Sequence, residues 1–295
     1  DYYSVRSTFG WQPGLPIAHS RDLLHWEYIG HGFSSHPKLL PGDTRLRIWG
    51  VEMGWNPNTK QFLIYAPTRE GEVFVYHAER PEGPYQVNSL GANLGIDPGF
   101  FADADGRLYF LTSRALIYEL EPDGLSLKRP IVQVDRTPYR LFEGPDIFKH
   151  GDYYYLLFSD GGTLPHEPST ISTLRARAIE GPWGADPANP VMFSTDNGAR
   201  FESPAHGTLI DTPSGEWYLG YHAHEPGYYT LGRQFMLEPV EWTADGWWRP
   251  VGGKVPSTSA TAPSLPSVPL QLLQSDEFDG TVFAAGHVST ERGET

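Results

Sequence analysis

Five times along its 295 residues this chain sets a turn ahead of a short aromatic strand, and that repetition constrains the fold more than any single motif. The segments are Asp1-Tyr2-Tyr3-Ser4-Val5, Lys60-Gln61-Phe62-Leu63-Ile64-Tyr65, Gly106-Arg107-Leu108-Tyr109-Phe110-Leu111, Gly151-Asp152-Tyr153-Tyr154-Tyr155-Leu156 and Gly215-Glu216-Trp217-Tyr218-Leu219. Their starts, at residues 1, 60, 106, 151 and 215, are spaced as one four-stranded propeller blade per unit would space them. No run of ten or more residues carries a helical period, so the expected fold is all-β, a five-bladed β-propeller with an incomplete first blade. A large β-sandwich is the competing all-β architecture, and five evenly registered hairpins disfavour it. The 32 glycines, 27 prolines and 14% aromatic residues fit many tight turns between aromatic strands.

Further landmarks recur within the repeats. Arg80-Pro81-Glu82-Gly83-Pro84-Tyr85 and Ala178-Ile179-Glu180-Gly181-Pro182-Trp183 each follow a strand-like run, and Ser20-Arg21-Asp22-Leu23-Leu24-His25-Trp26 reads as a similar outer corner. The propeller is expected over residues 1–255. A Pro/Ser/Thr-rich linker without a core pattern spans 256–273, and 274–295 reads as the start of a further β domain or a tail too short for its own core.

The formal charge of -14 argues against nucleic acid and anionic membrane as partners, because phosphate recognition needs clustered Lys and Arg. A small neutral ligand fits better. The chain has no cysteine, hence no disulfide, thiolate metal site or Cys nucleophile. No apolar run reaches about 18 residues, the length of a membrane-spanning helix. Neither oligomeric state nor compartment can be read from these features.

Three stretches place an ionisable side chain at the expected head of a strand, in register with the aromatic repeats: Ile96-Asp97-Pro98, Phe142-Glu143-Gly144-Pro145 and Ala205-His206-Gly207. The innermost strand of each propeller blade starts near the central channel, so these heads are expected to converge. Taken singly each has a plainer reading. Asp97 could open a turn, Glu-Gly-Pro also occurs at Glu82 and Glu180, and a lone His206 is more often structural. Their shared register favours a site. Glycosidic cleavage needs a carboxylic acid to protonate the leaving oxygen and a carboxylate to activate water or attack carbon. Arg233 could anchor sugar hydroxyls through its fixed fork of donors, and Trp49 and Phe9 could wall a sugar ring. Asp103-Ala104-Asp105-Gly106 lacks the remaining ligands of a calcium loop and reads as a hairpin turn. His222-Ala223-His224 is set aside as lacking a metal-binding partner pattern, its two side chains being expected on opposite strand faces.

Taken as an ordered set, Phe9…Pro13-Gly14-Leu15-Pro16-Ile17-Ala18-His19-Ser20-Arg21-Asp22, Asp97-Pro98-Gly99-Phe100, Glu143-Gly144-Pro145-Asp146, His206-Gly207-Thr208 and Leu231-Gly232-Arg233…Glu238-Pro239-Val240-Glu241-Trp242 resemble glycoside hydrolase family 43 over about residues 1 to 250. The resemblance implies a propeller that hydrolyses β-xylosides or α-L-arabinofuranosides with inversion. It makes Glu143 the general acid and Asp97 the carboxylate that raises its pKa and orients it. Arg233 and Trp49 would line the first sugar subsite. No cofactor is required, and His206 would lie under the sugar, near a hydrated structural calcium in many members. The family's general base is an Asp some ten residues ahead of the strand equivalent to Asp1-Tyr2-Tyr3, outside this sequence, so that role has no occupant here. General base work is worth about 10²–10⁴ in rate. The alternatives are therefore a base-less, sugar-binding propeller and a propeller used only as a protein-interaction platform.

Overall fold

The computed structural model describes residues 1–34, 47–162, 164–194 and 199–268, together with the backbone of the short strand Ser289–Thr290. The fold is nearly all β, five sheets that form the blades of a five-bladed β-propeller. Blade 1 holds the strands Tyr2–Val5, Gly14–Ser20 and Trp26–Phe33, and blade 2 holds Glu52–Asn56, Gln61–Pro67, Val73–Ala78 and Gln86–Gly91. Blade 3 holds Gly99–Ala102, Leu108–Leu111, Leu116–Leu120 and Leu127–Gln133. Blade 4 holds Glu143–His150, Tyr153–Gly161, Ser169–Ala176 and Gly184–Ala185, with Met192–Phe193 also on its third strand. Blade 5 holds Glu202–Asp211, Trp217–His224, Gln234–Trp242 and Trp248–Pro250. Among the described residues, no helix is long and apolar enough to cross a membrane.

The aromatic repeat segments are the second strands of blades 2 to 5, and Tyr2–Val5 is the leading edge of the three-stranded blade 1. The second strands of blades 2 to 5 read as largely unbroken apolar runs because both faces of each are covered. In Gln61–Pro67, for example, Leu63, Ile64, Tyr65 and Ala66 are all fully buried.

The chain packs into two compact units, Asp1–Phe110 with Glu119–Arg129 and Leu265–Thr295, and Leu111–Tyr118 with Pro130–Ser264. The core of the first includes Leu15, Ile17, Ile48, Ile64, Phe74 and Tyr76. That of the second includes Phe148, Tyr155, Ile171, Leu219, Tyr221 and Trp248.

The three expected corners share one device, an aromatic polar atom that bonds back to the preceding turn. Trp26 Nε1 donates to the Leu23 carbonyl (3.0 Å), Tyr85 Oη to that of Pro81 (2.7 Å) and Trp183 Nε1 to that of Ile179 (3.2 Å). The described part of the Pro/Ser/Thr segment, 256–268, has no regular secondary structure, yet Ser257 and Ser264 hydrogen-bond to Glu238 and Glu216 of blade 5. Apart from Ser289–Thr290, which pairs with Trp11–Gln12, the expected domain onset at 274–295 lies outside the described residues.

Candidate active site

In the second unit, the first strands of blades 4 and 5 carry matching irregularities. On Glu143–His150, Glu143 faces Ser159 and Asp146 faces Leu157, so three steps on one strand match two on the other. Such a bulge returns Glu143 and Asp146 to the same face, where a regular strand would separate them. Blade 5 repeats the step twice, Glu202 facing His224, Ala205 facing His222 and Thr208 facing Gly220. Each bulge holds a left-handed residue, Gly144 at φ +51°, Ser203 at φ +53° and His206 at φ +55°. Asp97, two residues ahead of the Gly99–Ala102 strand in the first unit, adopts φ +48°. Two of the positions picked out by register, Asp97 and His206, thus have an uncommon left-handed backbone, and in blade 4 the left-handed residue is Gly144, next to Glu143.

His206 does not open its strand as expected. It lies inside Glu202–Asp211, because the pairing of Glu202 with His224 extends the strand four residues ahead of it. Glu143 is the first residue of its strand, as expected.

Glu143 and His206 are neighbours through two contacts. The His206 amide donates to Ser159 Oγ (2.7 Å), and Ser159 is the pairing partner of Glu143. Gly144 lies on the His206 ring so closely that a Cβ there would stand 2.7 Å from ring carbons. Glycine is required at 144 both by the left-handed backbone and by that ring.

Asp146 is half-buried and accepts a hydrogen bond from Thr208 Oγ1 (2.7 Å), the residue that follows the bulge in blade 5. Burial pushes its carboxyl up to about 6, against the opposing effect of Thr208 and the backbone amides of Ile147 and Leu209.

Arg233 is exposed, one residue ahead of Gln234–Trp242, and its Nη1 lies 3.5 Å from His222 Nε2. The His206 and His222 rings are 6.3 Å apart. Burial first, then the charges of Arg233, His206 and His224, holds His222 well below the ordinary histidine pKa. Against the expectation from sequence, His222 and His224 share a face, since side chains two apart on a strand point the same way. Above them, Tyr229 of a 3-10 turn packs edge-on against His166, whose amide is held by Glu202 Oε1 (3.0 Å).

In the first unit, Phe9 is 42% exposed and its backbone bridges to Ile48, which sets its ring edge-on to Trp49 with centroids 6.1 Å apart. Asp97 is almost fully buried. Phe9 and Trp49 are thus brought together in one unit, and Glu143, His206 and Arg233 share the other.

Calcium takes about six to eight oxygen ligands, whereas the groups described around His206 are the His222 ring, the Ser159 hydroxyl and Glu143 on the paired strand. Among the described residues no group of three or more His, Cys, Asp or Glu gathers where a metal ion could sit. This donor set does not fit a protein cage for calcium, and no step below runs through a metal.

Sequence reasoning missed Asp146, Ser159 and the place of His222 between Arg233 and His206. The bulges that bring them to the site follow from local φ values at Gly144 and His206, and the only signal in the sequence was the glycine beside each ionisable residue.

Comparison with known proteins identifies the family of the chain. The sequence profile of glycosyl hydrolases family 43 matches residues 1–248. A xylan 1,3-beta-xylosidase from Vibrio sp is 30% identical, the match covering 91% of this chain and 57% of that protein. The non-reducing end alpha-L-arabinofuranosidase BoGH43B from Bacteroides ovatus is also 30% identical, over 95% of this chain and 55% of that protein. The crystal structure of the GH43 BlXynB protein from Bacillus licheniformis superposes with a TM-score of 0.86 at 34% identity, covering 96% of this chain and 58% of the other. The chain spans a little over half the length of the curated relatives it matches. By its profile, its blades and its relatives, this chain belongs to glycosyl hydrolase family 43.

Proposed function

We propose that the chain is an inverting glycosidase domain that releases xylose, arabinofuranose or both from the ends of xylo-oligosaccharides or arabinoxylan fragments. Glu143 is the general acid in this reading. The observation that carries it is the backbone seat of that residue, on a bulged strand head paired with Ser159, with the His206 ring packed against the adjoining Gly144. A strand head held in this way fixes the backbone from which an acid can meet a glycosidic oxygen.

Asp97 takes the tuning role, supported by its matching place and left-handed backbone at the head of blade 3. A carboxylate near another raises the pKa of its partner and keeps an acid protonated near neutral pH. Arg233 and His206 contact the sugar hydroxyls, and Phe9 with Trp49 form the apolar wall. Names of relatives that include both xylosidase and arabinofuranosidase support the choice of sugars.

The experiment is Glu143→Gln, assayed on two substrates of unlike leaving group. A general acid matters most when the leaving oxygen is a poor one, so turnover of xylobiose should fall by about 10²–10⁴. Turnover of 4-nitrophenyl β-D-xylopyranoside, whose leaving group needs little protonation, should fall much less. Equal losses on both, or none on xylobiose, remove the acid assignment.

A further inference from the structure

We infer that His222 is a positioning residue that aims the Arg233 guanidinium by accepting a hydrogen bond at Nε2. The inference rests on the reading of Arg233 as a sugar-binding residue and adds the group that orients it.

Arg233 alone is poorly directed. It is exposed, and it follows Gly232, at φ +68°, and the 3-10 turn Tyr229–Leu231, so nothing in its own segment fixes a long side chain with several free torsions. His222 differs. It sits in the middle of a paired strand, registered with Ala205 on one side and Phe235 on the other, and its ring has little freedom.

The chemistry of the pair assigns the proton. A guanidinium has only donors, so the nitrogen facing it, Nε2 at 3.5 Å, must offer a lone pair. A neutral imidazole carries one N–H, which must then be on Nδ1. That atom is sealed from solvent and has no hydrogen-bond partner among the described residues. An unsatisfied buried donor is a cost that folded proteins seldom keep without a return. Here the return is an acceptor fixed in front of Arg233. Surroundings keep the ring in that state, since burial first, and then the cationic neighbour and the two other imidazoles, disfavour a second proton. The 3.5 Å separation is long for a hydrogen bond, as often holds before a substrate tightens a site. When a sugar hydroxyl accepts from one arm of the fork, the other arm settles on His222.

The test is a substitution series read by KM and kcat on 4-nitrophenyl β-D-xylopyranoside and 4-nitrophenyl α-L-arabinofuranoside, with Kd for xylobiose by calorimetry. His222→Phe keeps the ring volume and removes the acceptor. It should raise KM and Kd about tenfold with a smaller change in kcat. His222→Gln places an amide oxygen near the position of Nε2 and should recover to within about threefold of the parent. In an Arg233→Ala background, His222→Phe should cause no further loss, because the two act as one unit. Thermal melting accompanies each variant. Should His222→Phe fail to fold, His222→Leu takes its place in the same cycle.

The inference is overturned if His222→Phe binds as the parent does, if its effect adds in full to that of Arg233→Ala, or if His222→Gln is as weak as His222→Phe. It also falls if Arg233→Ala leaves Kd and KM unchanged. The glycosidase reading fails by a different result, a Glu143→Gln variant that keeps turnover on xylobiose, so the two failures are separable.

Discussion

Asp146 shows how one bulge adds a residue that register alone would send to the other face. Three positions from Glu143, it would point away on a regular strand, and the extra step at Gly144-Pro145 brings it round to Thr208. Its carboxyl is raised to about 6, first by burial. A raised carboxyl pKa favours the folded state fully below the unfolded value of about 3.9, and that advantage is lost as pH climbs through the folded value. At higher pH the folded chain carries a half-buried charge that the unfolded chain leaves in water. Asp146→Asn keeps the shape and an acceptor for Thr208 without the charge. Its stability should match the parent at pH 4 and exceed it at pH 8 by up to about 3 kcal/mol, since a tenfold change in proton affinity is worth about 1.4 kcal/mol. Urea unfolding at the two pH values measures it. A constant difference between parent and variant would show that Asp146 is not perturbed.

The strands were more legible than what joins them. Hairpin turns such as Asp103-Ala104-Asp105-Gly106 and the aromatic runs after them are local, so the repeat located the second strand of four blades and the leading strand of blade 1. Bulges and straps depend on partners distant in the chain. Thus His206 reads as a strand opener until Glu202 is seen paired with His224, and 256–264 reads as a free linker until its partners are seen. Ser257 donates from both Oγ and its amide to the two oxygens of Glu238, at 2.6 and 3.3 Å. Ser264 treats Glu216 alike, at 2.9 and 3.0 Å. Pro256 and Pro263 are buried, and the Thr261 carbonyl accepts from Tyr218 Oη. Serine-to-carboxylate pairs of this kind make a linker-like composition lie flat on blade 5. These hydrogen bonds to ionised carboxylates are charge-assisted, so a Ser257→Ala, Ser264→Ala double variant should release the strap. Limited proteolysis followed by mass spectrometry should then find cleavage within 256–264 at least about tenfold faster than in the parent. Cleavage at the parental rate would mean that the buried prolines alone hold the segment.

For the chain as a whole, the surplus of acidic residues leaves open how it responds to acid, and single carboxylates decide it. Asp22 is 3% exposed at the corner that closes blade 1. Burial alone would raise its carboxyl pKa, but His25 Nδ1 at 2.7 Å and the amides of His25, Val268 and Leu24 outweigh it and hold the value below the usual range. Through the Val268 amide, at 3.0 Å, the same carboxylate fastens a segment 246 residues away in the chain. Glu119 is lowered in the same direction, first by Lys128 and then by Arg129 against some burial. A lowered carboxyl pKa contributes stability that is present in full above about 3.9 and is lost as pH falls through the folded value. Asp22→Asn should therefore cost about 1.5–3 kcal/mol at pH 7, the worth of a hydrogen bond to a charged group. As pH drops below 4 the parent loses what the variant never had, and the two unfolding curves should converge. Urea denaturation at pH 7, 4 and 3 reads this directly. A gap that stays constant to pH 3 would place the role of Asp22 in its shape and not in its charge, and acid sensitivity would then have to come from other carboxylates such as Glu119.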